Sequence, residues 1–334
     1  MRLRDIRRKI LWSLLLGAVV FGALVFYGDV RNVGAHLADF AWRYTPLILG
    51  LIILNYSLRF LKWQFYLGVV NAALPWRRSL LIFLSAFPMV LTPGKVGELL
   101  KVYFVKRSNG APMSATAPIV LAERVTDGLA MFVLATIGIL ALGTNGPLFW
   151  VLAAVAAGML AFVLLSRWRW LVEKGMTLWR RLPVVGRFEP QLRKAYESTY
   201  ELFALRRLLF AVGLGVISWG CEGLALYLTL LALGAPHGAH TLVVAVFTMA
   251  ASRLVGAVSF LPGGLGAVDL SLTGLLQTLL LLPAGFTVAA TLVIRLFTLW
   301  FSVTIGVVAL VILLRQLEIA ADSELEMADQ LATA

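Results

Sequence analysis

The side chains of this chain that could do chemistry are charged groups set inside long apolar stretches. A charge at the centre of a bilayer costs at least ~2.5–3.5 kcal/mol, so a set of this size predicts an internal polar cavity, ion pairs or both. The set, seven basic and five acidic residues, comprises Arg59, Lys62, Lys95, Glu98, Lys101, Glu123, Arg124, Asp127, Glu222, Arg253, Asp269 and Arg295. Because basic residues predominate, a cavity lined by these side chains favours an anionic ligand.

Two loops share the pattern P-G-x-x-G, and each has an acidic residue close behind it. The first Pro-Gly loop is residues 93–97, followed by Glu98, and the second is residues 262–266, followed by Asp269. A helix that starts after such a break directs its N–H groups and positive dipole end into the break, where phosphate binds. The loop glycines, which allow close approach of a substrate to the backbone, are Gly94, Gly97, Gly263, Gly264 and Gly266. An alternative is that the Pro-Gly pairs only kink transmembrane helices.

Three cations are expected to face the negative charge of a substrate: Lys95, Arg124 and Arg295. Lys95 lies in the first loop, and each arginine follows its loop by about thirty residues. Arg59 and Glu98 complete the predicted substrate-binding set. For Lys95 and Arg59 the alternative is that a long side chain extends to the membrane surface.

The carboxylates Glu123, Asp127 and Asp269 are predicted to form a charge network or to carry coupling protons. Glu123 and Asp127 are four residues apart and share one helix face, while Arg124 can reach a carboxylate on a neighbouring helix. A structural network that only neutralises itself is the alternative.

Other chemistry has little support in the sequence. The three histidines lie in predicted outer loops, and the single cysteine, Cys221, lies in an apolar run, so we expect no metal site. The glycine loops lack the lysine-hydroxyl pair of a nucleotide-binding loop, and no catalytic motif occurs. We therefore expect no catalytic residue, no cofactor and no enzymatic activity. Basic residues of a membrane protein act as topology signals, so the net charge of +12 does not predict nucleic-acid binding.

The elements that position these residues are predicted to be transmembrane helices. With 60% hydrophobic and 14% charged residues and a mean hydropathy of +0.90, the chain has too few charges to cover a soluble surface. We predict an all-α polytopic membrane protein, residues 1–334 forming one transmembrane domain. The expected spans run through residues 10–27, 46–67, 115–142, 147–166, 207–233 and 285–314.

An internal repeat organises these spans. Residues 66–75 align with 227–236, and in both halves a P-G-x-x-G loop, an acid and then an arginine follow. Each unit is predicted to be a span, a re-entrant Pro-Gly hairpin and a second span, over residues 46–142 and 207–314. Counting Lys and Arg places both termini and the basic loop 167–206 in the cytoplasm, with 315–334 as a cytoplasmic tail. The two units are then inverted, an arrangement typical of secondary transporters.

The motifs resemble the flippase-like transmembrane region of lysylphosphatidylglycerol synthases. The resemblance rests on Arg59-Phe-Leu-Lys-Trp63, Thr92-Pro-Gly-Lys-Val-Gly-Glu98, Ala122-Glu-Arg-Val-Thr-Asp127, Leu261-Pro-Gly-Gly-Leu-Gly266 and Arg295, over about residues 10–315. It implies movement of a phospholipid, a polyprenyl-linked sugar or a hopanoid-related lipid across the cytoplasmic (inner) membrane. The chain lacks the aminoacyl-transferase domain of the synthases, and Asp269 departs from the more frequent G-x-x-E pattern.

The sequence thus predicts a lipid flippase or transporter that binds an anionic or amino-modified headgroup between its two hairpins, with a membrane lipid as its partner. Two alternatives remain: an integral membrane transferase that acts on a lipid-linked substrate, and a non-transporting partner that recruits a lipid-modifying enzyme. The sequence leaves the oligomeric state open.

Overall fold

A computed structural model of the chain describes residues 17–92, 97–143, 147–167 and 189–333. Within these ranges the chain is helical, without strands, and six helices are long and apolar enough to cross a membrane. The helices, numbered here in chain order, are α1 (Gly17–Tyr27), α2 (Val30–Ala38), α3 (Thr45–Val69), α4 (Trp76–Ser85), α5 (Leu100–Asn109), α6 (Met113–Leu142), α7 (Pro147–Arg167), α8 (Glu189–Leu202), α9 (Leu205–Ala232), α10 (Ala239–Val258), α11 (Ala267–Leu280), α12 (Ala284–Arg295) and α13 (Phe301–Thr333). The prediction of an all-α polytopic membrane protein is confirmed.

The first predicted span ends in a sharp bend. Helices α1 and α2 meet at 96°, and the pair forms a seventh candidate span if it is counted as one. Asp29 lies at the bend with a φ of 64°, and its carboxylate accepts a hydrogen bond of 2.9 Å from the N–H of Arg31. This cap satisfies a backbone donor that the start of α2 would otherwise leave without a partner. The sequence pattern had indicated only an outer loop over α2.

The two hairpins differ in length. The first consists of α4, a 3₁₀ turn over Phe87–Leu91, and α5, and each of its helices has 10 residues, or about 15 Å. That length is about half of the ~30 Å hydrocarbon core. The second hairpin consists of α10 with 20 residues and α11 with 14, joined through a 3₁₀ turn over Pro262–Gly264. Its arms are long enough to be candidate spans themselves.

Helices α3 and α9, the first spans of the two predicted repeats, pack along each other. The amide of Asn55 donates hydrogen bonds to the carbonyl oxygen of Ser218 at 2.8 Å and to its hydroxyl at 3.0 Å. Both side chains are buried. In lipid, where apolar burial gives no net drive for helices to associate, such interhelical hydrogen bonds help to fix the register of two spans.

The 3₁₀ turn of the first hairpin lies against the second Pro-Gly loop. Leu91, at the end of the first hairpin's 3₁₀ turn, forms a buried cluster with Leu265 of the second loop and with Leu299. Gly263 and Gly264 have φ values of 61° and 65°, a backbone conformation that residues other than glycine rarely adopt. A Cβ on Gly263 would meet Leu91 at 3.2 Å, so the close contact between the two regions also depends on the missing side chain.

A π-helical turn separates α12 from α13. It spans Leu296–Trp300 and follows Arg295 directly. Such turns are rare and often occur at functional sites. The predicted span 285–314 contains one charged residue, Arg295. The π turn interrupts the α-helix of this span directly after that residue.

Candidate functional site

Three of the charged residues within the membrane lie near the middle of long helices. Asp127 is at the centre of the 30-residue helix α6, Arg59 is in the middle turns of α3, and Glu222 is one turn past the centre of α9. None of these positions is near a helix end. Any counterion for these charges must therefore come from another helix or from a bound ligand.

In the first half of the chain, three ion pairs join α6 to its neighbours. Lys62 of α3 binds Asp127, and Lys101 of α5 binds Glu123, and all four side chains are largely buried. Arg124 contacts Glu98 at 3.1 Å, and their side chains are 38% and 23% exposed. From the sequence we expected Arg124 to contact a carboxylate on a neighbouring helix, and Glu98 lies just before α5. This third pair is accessible, whereas the first two are closed.

In the second half, Asp269 and Arg295 form a fully buried ion pair. The Arg295 Nε lies 2.7 Å from the Asp269 Oδ1, and the side chains are 1% and 0% exposed. Arg295 also donates a hydrogen bond from Nη2 to the carbonyl oxygen of Gly263 at 2.9 Å. The other carboxylate oxygen of Asp269 accepts a hydrogen bond of 2.8 Å from the N–H of Gly266. The pair thus holds the second Pro-Gly loop at both ends.

Glu222 and Arg253 also pair with each other. The Arg253 Nη2 lies 2.8 Å from the Glu222 Oε2, which joins α10 to α9. The Arg253 guanidinium lies 5.8 Å from the centre of the Trp219 ring. Sequence reasoning placed both residues at membrane depth but gave neither a role. Two lone opposite charges in adjacent apolar helices are the signal that could have predicted their pairing.

Arg59 is the cation that these pairs leave over. Among the described residues the membrane-embedded set holds six cations and five carboxylates, and each carboxylate binds one cation other than Arg59. The Arg59 guanidinium instead lies 5.1 Å from the centre of the Trp219 ring and 5.9 Å from that of Phe87. Asp127 and Glu222 are the carboxylates that attract it most strongly, and both already bind other cations.

Several buried polar atoms near this centre have no hydrogen-bond partner in the part of the chain that the structure describes. They belong to two of the helices that carry the charged residues: Thr248 Oγ1 and Ser252 Oγ on α10, and Arg295 Nη1 on α12. A buried donor or acceptor without a partner costs roughly 1–3 kcal/mol. Such atoms are expected where a polar ligand or water enters.

The remaining predicted residues are placed as follows. Gly94 and Lys95 lie outside the described residues. The N–H of Gly97 donates a hydrogen bond of 2.9 Å to the hydroxyl of Thr92, which closes the described ends of the first loop. Within the described ranges no group of three or more His, Cys, Asp and Glu side chains is arranged to hold a metal ion.

The fold and these charges together define a polytopic membrane protein with a charged centre. The sequence matches the profile of the lysylphosphatidylglycerol synthase TM region over residues 10–306. Because that match spans most of the chain, the protein belongs to this family.

Similar proteins from archaea cover nearly the same length. A UPF0104 membrane protein of Methanothermobacter thermautotrophicus is 25% identical over 315 residues, which cover 87% of this chain and 89% of the relative. A UPF0104 membrane protein of Pyrococcus horikoshii is 26% identical over 323 residues, which cover 88% and 94%. The similarity therefore extends over the transmembrane region as a whole and is not confined to one motif.

Proposed function

We propose that this protein is a lipid flippase or transporter that moves an anionic or amino-modified lipid across the cytoplasmic membrane. The observation that carries the proposal is Arg59, a cation in the middle of a transmembrane helix that binds no carboxylate among the described residues. When an arginine packs against aromatic rings, the N–H groups of its planar guanidinium stay available to bind a phosphate. A lipid phosphate would then provide the counterion that the described residues do not supply.

The surroundings of Arg59 support this assignment. The guanidinium groups of Arg59 and Arg253 lie 5.1 Å and 5.8 Å from the centre of the Trp219 ring, so one aromatic ring contacts two cations from different helices. The accessible pair of Arg124 and Glu98 offers both a positive and a negative partner to a headgroup that enters from the first half. On sequence grounds Lys95 and the first loop's glycines belong to the same binding region.

The family supports a lipid substrate, since its description names a lipid synthase. The proposal gives the chain no chemical step of its own. We place both termini in the cytoplasm. We also place the two hairpins in inverted repeats, because inverted repeats let one central site face either side of the membrane in turn.

Reconstitution tests the proposal. The purified protein is placed in phosphatidylglycerol-containing liposomes with a trace of fluorescently labelled phosphatidylglycerol, and dithionite destroys the label in the outer leaflet only. Transport makes the inner-leaflet label accessible. We expect Arg59→Gln to reduce this rate at least tenfold and Arg43→Gln to leave it unchanged, because Arg43 contacts the Tyr44 ring at 5.4 Å but lies in an exposed turn. Equal rates in empty liposomes and liposomes with wild-type protein would contradict the proposal for this lipid, and a covalently altered lipid would favour a transferase.

A further inference from the structure

Helices α11 and α12 are joined by a row of polar side chains that lies on one face of each helix. The polar seam, as we name it, consists of three residues on each helix at intervals of four, Asp269, Thr273 and Gln277 on α11 and Thr287, Thr291 and Arg295 on α12. An interval of four keeps all three side chains of a helix on one face.

The seam residues pair with one another rung by rung. Beyond the buried ion pair of Asp269 and Arg295, the hydroxyl oxygens of Thr273 and Thr291 lie 3.0 Å apart. In the next rung the Gln277 Nε2 donates to the Thr287 hydroxyl at 3.2 Å. Exposure begins on α11 only: the side chains of the first two rungs and Thr287 are at most 3% exposed, whereas Gln277 is only half-buried.

The outer end of the seam reaches the molecular surface at Tyr27. Its hydroxyl donates to the Gln277 Oε1 at 3.2 Å, and Tyr27 is 60% exposed. From Asp269 to Gln277 the helix rises about 12 Å, close to half of the ~30 Å hydrocarbon core. The seam therefore runs from the charged centre to the membrane surface at which α11 ends, which the topology prediction makes the external one.

We propose that the polar seam opens to form the headgroup path through this half of the membrane. This inference rests on the proposed function and adds to it the route that the lipid headgroup takes. When α11 and α12 separate, two rows of hydroxyl, amide and charged groups line a groove in which a phosphate headgroup moves while its acyl chains stay in lipid. Arg295 lies at the inner end with its Nη1 buried and without a hydrogen-bond partner among the described residues, ready to bind a phosphate there.

The competing explanation is that the seam only fixes α11 against α12. Interhelical hydrogen bonds between Thr and Gln side chains serve that purpose in many membrane proteins. The two explanations differ in one respect that can be measured, since a path must open during transport and a fixed contact must not.

A reversible cross-link separates them. Thr273→Cys and Thr291→Cys are introduced together in a Cys221→Ala background, which removes the chain's only natural cysteine. Disulfide formation is confirmed by loss of free thiols, and lipid transport is measured in the phosphatidylglycerol liposomes described above. We expect at least a tenfold loss of rate when the double-cysteine protein is oxidised and recovery on reduction, whereas each single-cysteine variant should have the same rate in its oxidised and its reduced sample. Full transport by the cross-linked protein would overturn the path.

Thiol labelling provides a second measurement that needs no transport assay. Thr287→Cys on the seam is compared with Ala289→Cys on the opposite face of α12, and both positions are 0% exposed in the structure. We expect a charged, membrane-impermeant thiol reagent to label Thr287→Cys only. The absence of labelling would overturn the path. If wild-type protein moves lipid but the cross-link has no effect, only the seam inference fails, and if wild-type protein moves no lipid, the proposed function fails as well.

Discussion

Asp269 and Arg295 form their ion pair across 26 sequence positions, the same separation that joins Glu98 to Arg124 in the first half of the chain. In both halves the acid follows a Pro-Gly loop and the arginine lies on the helix after the hairpin. The environments differ, because the second pair is buried whereas the first is partly exposed. The two acid–arginine pairs are thus expected to make different contributions to stability and to transport.

The buried pair should show strong energetic coupling. Either Asp269→Leu or Arg295→Met alone leaves a buried charge without its partner, which costs about 3–5 kcal/mol of unfolding free energy. The double variant removes both charges and should lose about 1–3 kcal/mol, because Asp269 no longer accepts a hydrogen bond from Gly266 and Arg295 no longer donates one to the Gly263 carbonyl. Unfolding of the four proteins in detergent measures this coupling. Simple addition of the two single losses would show that the pair is not a unit.

The exposed pair should matter for transport more than for stability. Because both side chains contact solvent or headgroups, Glu98→Gln is expected to change the unfolding free energy by at most about 1 kcal/mol. It should nevertheless lower lipid transport, since Arg124 loses the carboxylate that positions it. Glu197→Gln, which breaks the exposed pair with Arg193 on α8, is the matched control and should change neither quantity. A large loss of stability in Glu98→Gln would contradict this assignment.

Hydropathy and turn residues predicted the helices because those signals are local. The predicted span 46–67 is close to the observed Thr45–Val69, and the predicted 207–233 is close to Leu205–Ala232. The bend at Asp29 escaped prediction, because it depends on one side-chain cap and on a positive φ at a single residue. The π turn after Arg295 also escaped prediction, because its residues are as apolar as those of a transmembrane α-helix.

The charged residues could be recognised from sequence, but their partners could not. Arg59 and Lys62 are one turn apart on α3, and only the packing of α6 and α9 against that helix decides that Lys62 binds Asp127 and Arg59 does not. The polar seam was missed because threonine and glutamine carry little weight in a search for charges. Its signal was nevertheless present as the interval of four residues on both helices.

Replacement of Arg59 should separate stability from function. Arg59→Met removes a membrane-embedded cation that binds no carboxylate among the described residues, so we expect the unfolding free energy to stay constant or rise by about 1 kcal/mol. Lys62→Met, one turn away on the same helix, leaves Asp127 without its cation and should lose about 3–5 kcal/mol. Unfolding in detergent compares the two. Arg59→Met should also abolish lipid transport, and a destabilised Arg59→Met with normal transport would assign Arg59 a structural role instead.

Gly306 should tolerate no side chain, because the first hairpin packs directly on α13 there. A Cβ at this position would lie 2.4 Å from Pro88 Cδ and 2.8 Å from the carbonyl oxygen of Leu84. The backbone of Leu84 cannot turn aside as a flexible side chain does, so Gly306→Ala should displace the hairpin and cost about 1–3 kcal/mol. Gly213→Ala on α9 is the matched control, since no atom lies within 4 Å of its added Cβ and helix propensity favours alanine. If unfolding in detergent gives the same stability for both variants, the first hairpin does not pack on α13 as closely as the structure places it. If only Gly306→Ala is destabilised and its transport also falls, the position of the first hairpin is coupled to the lipid path.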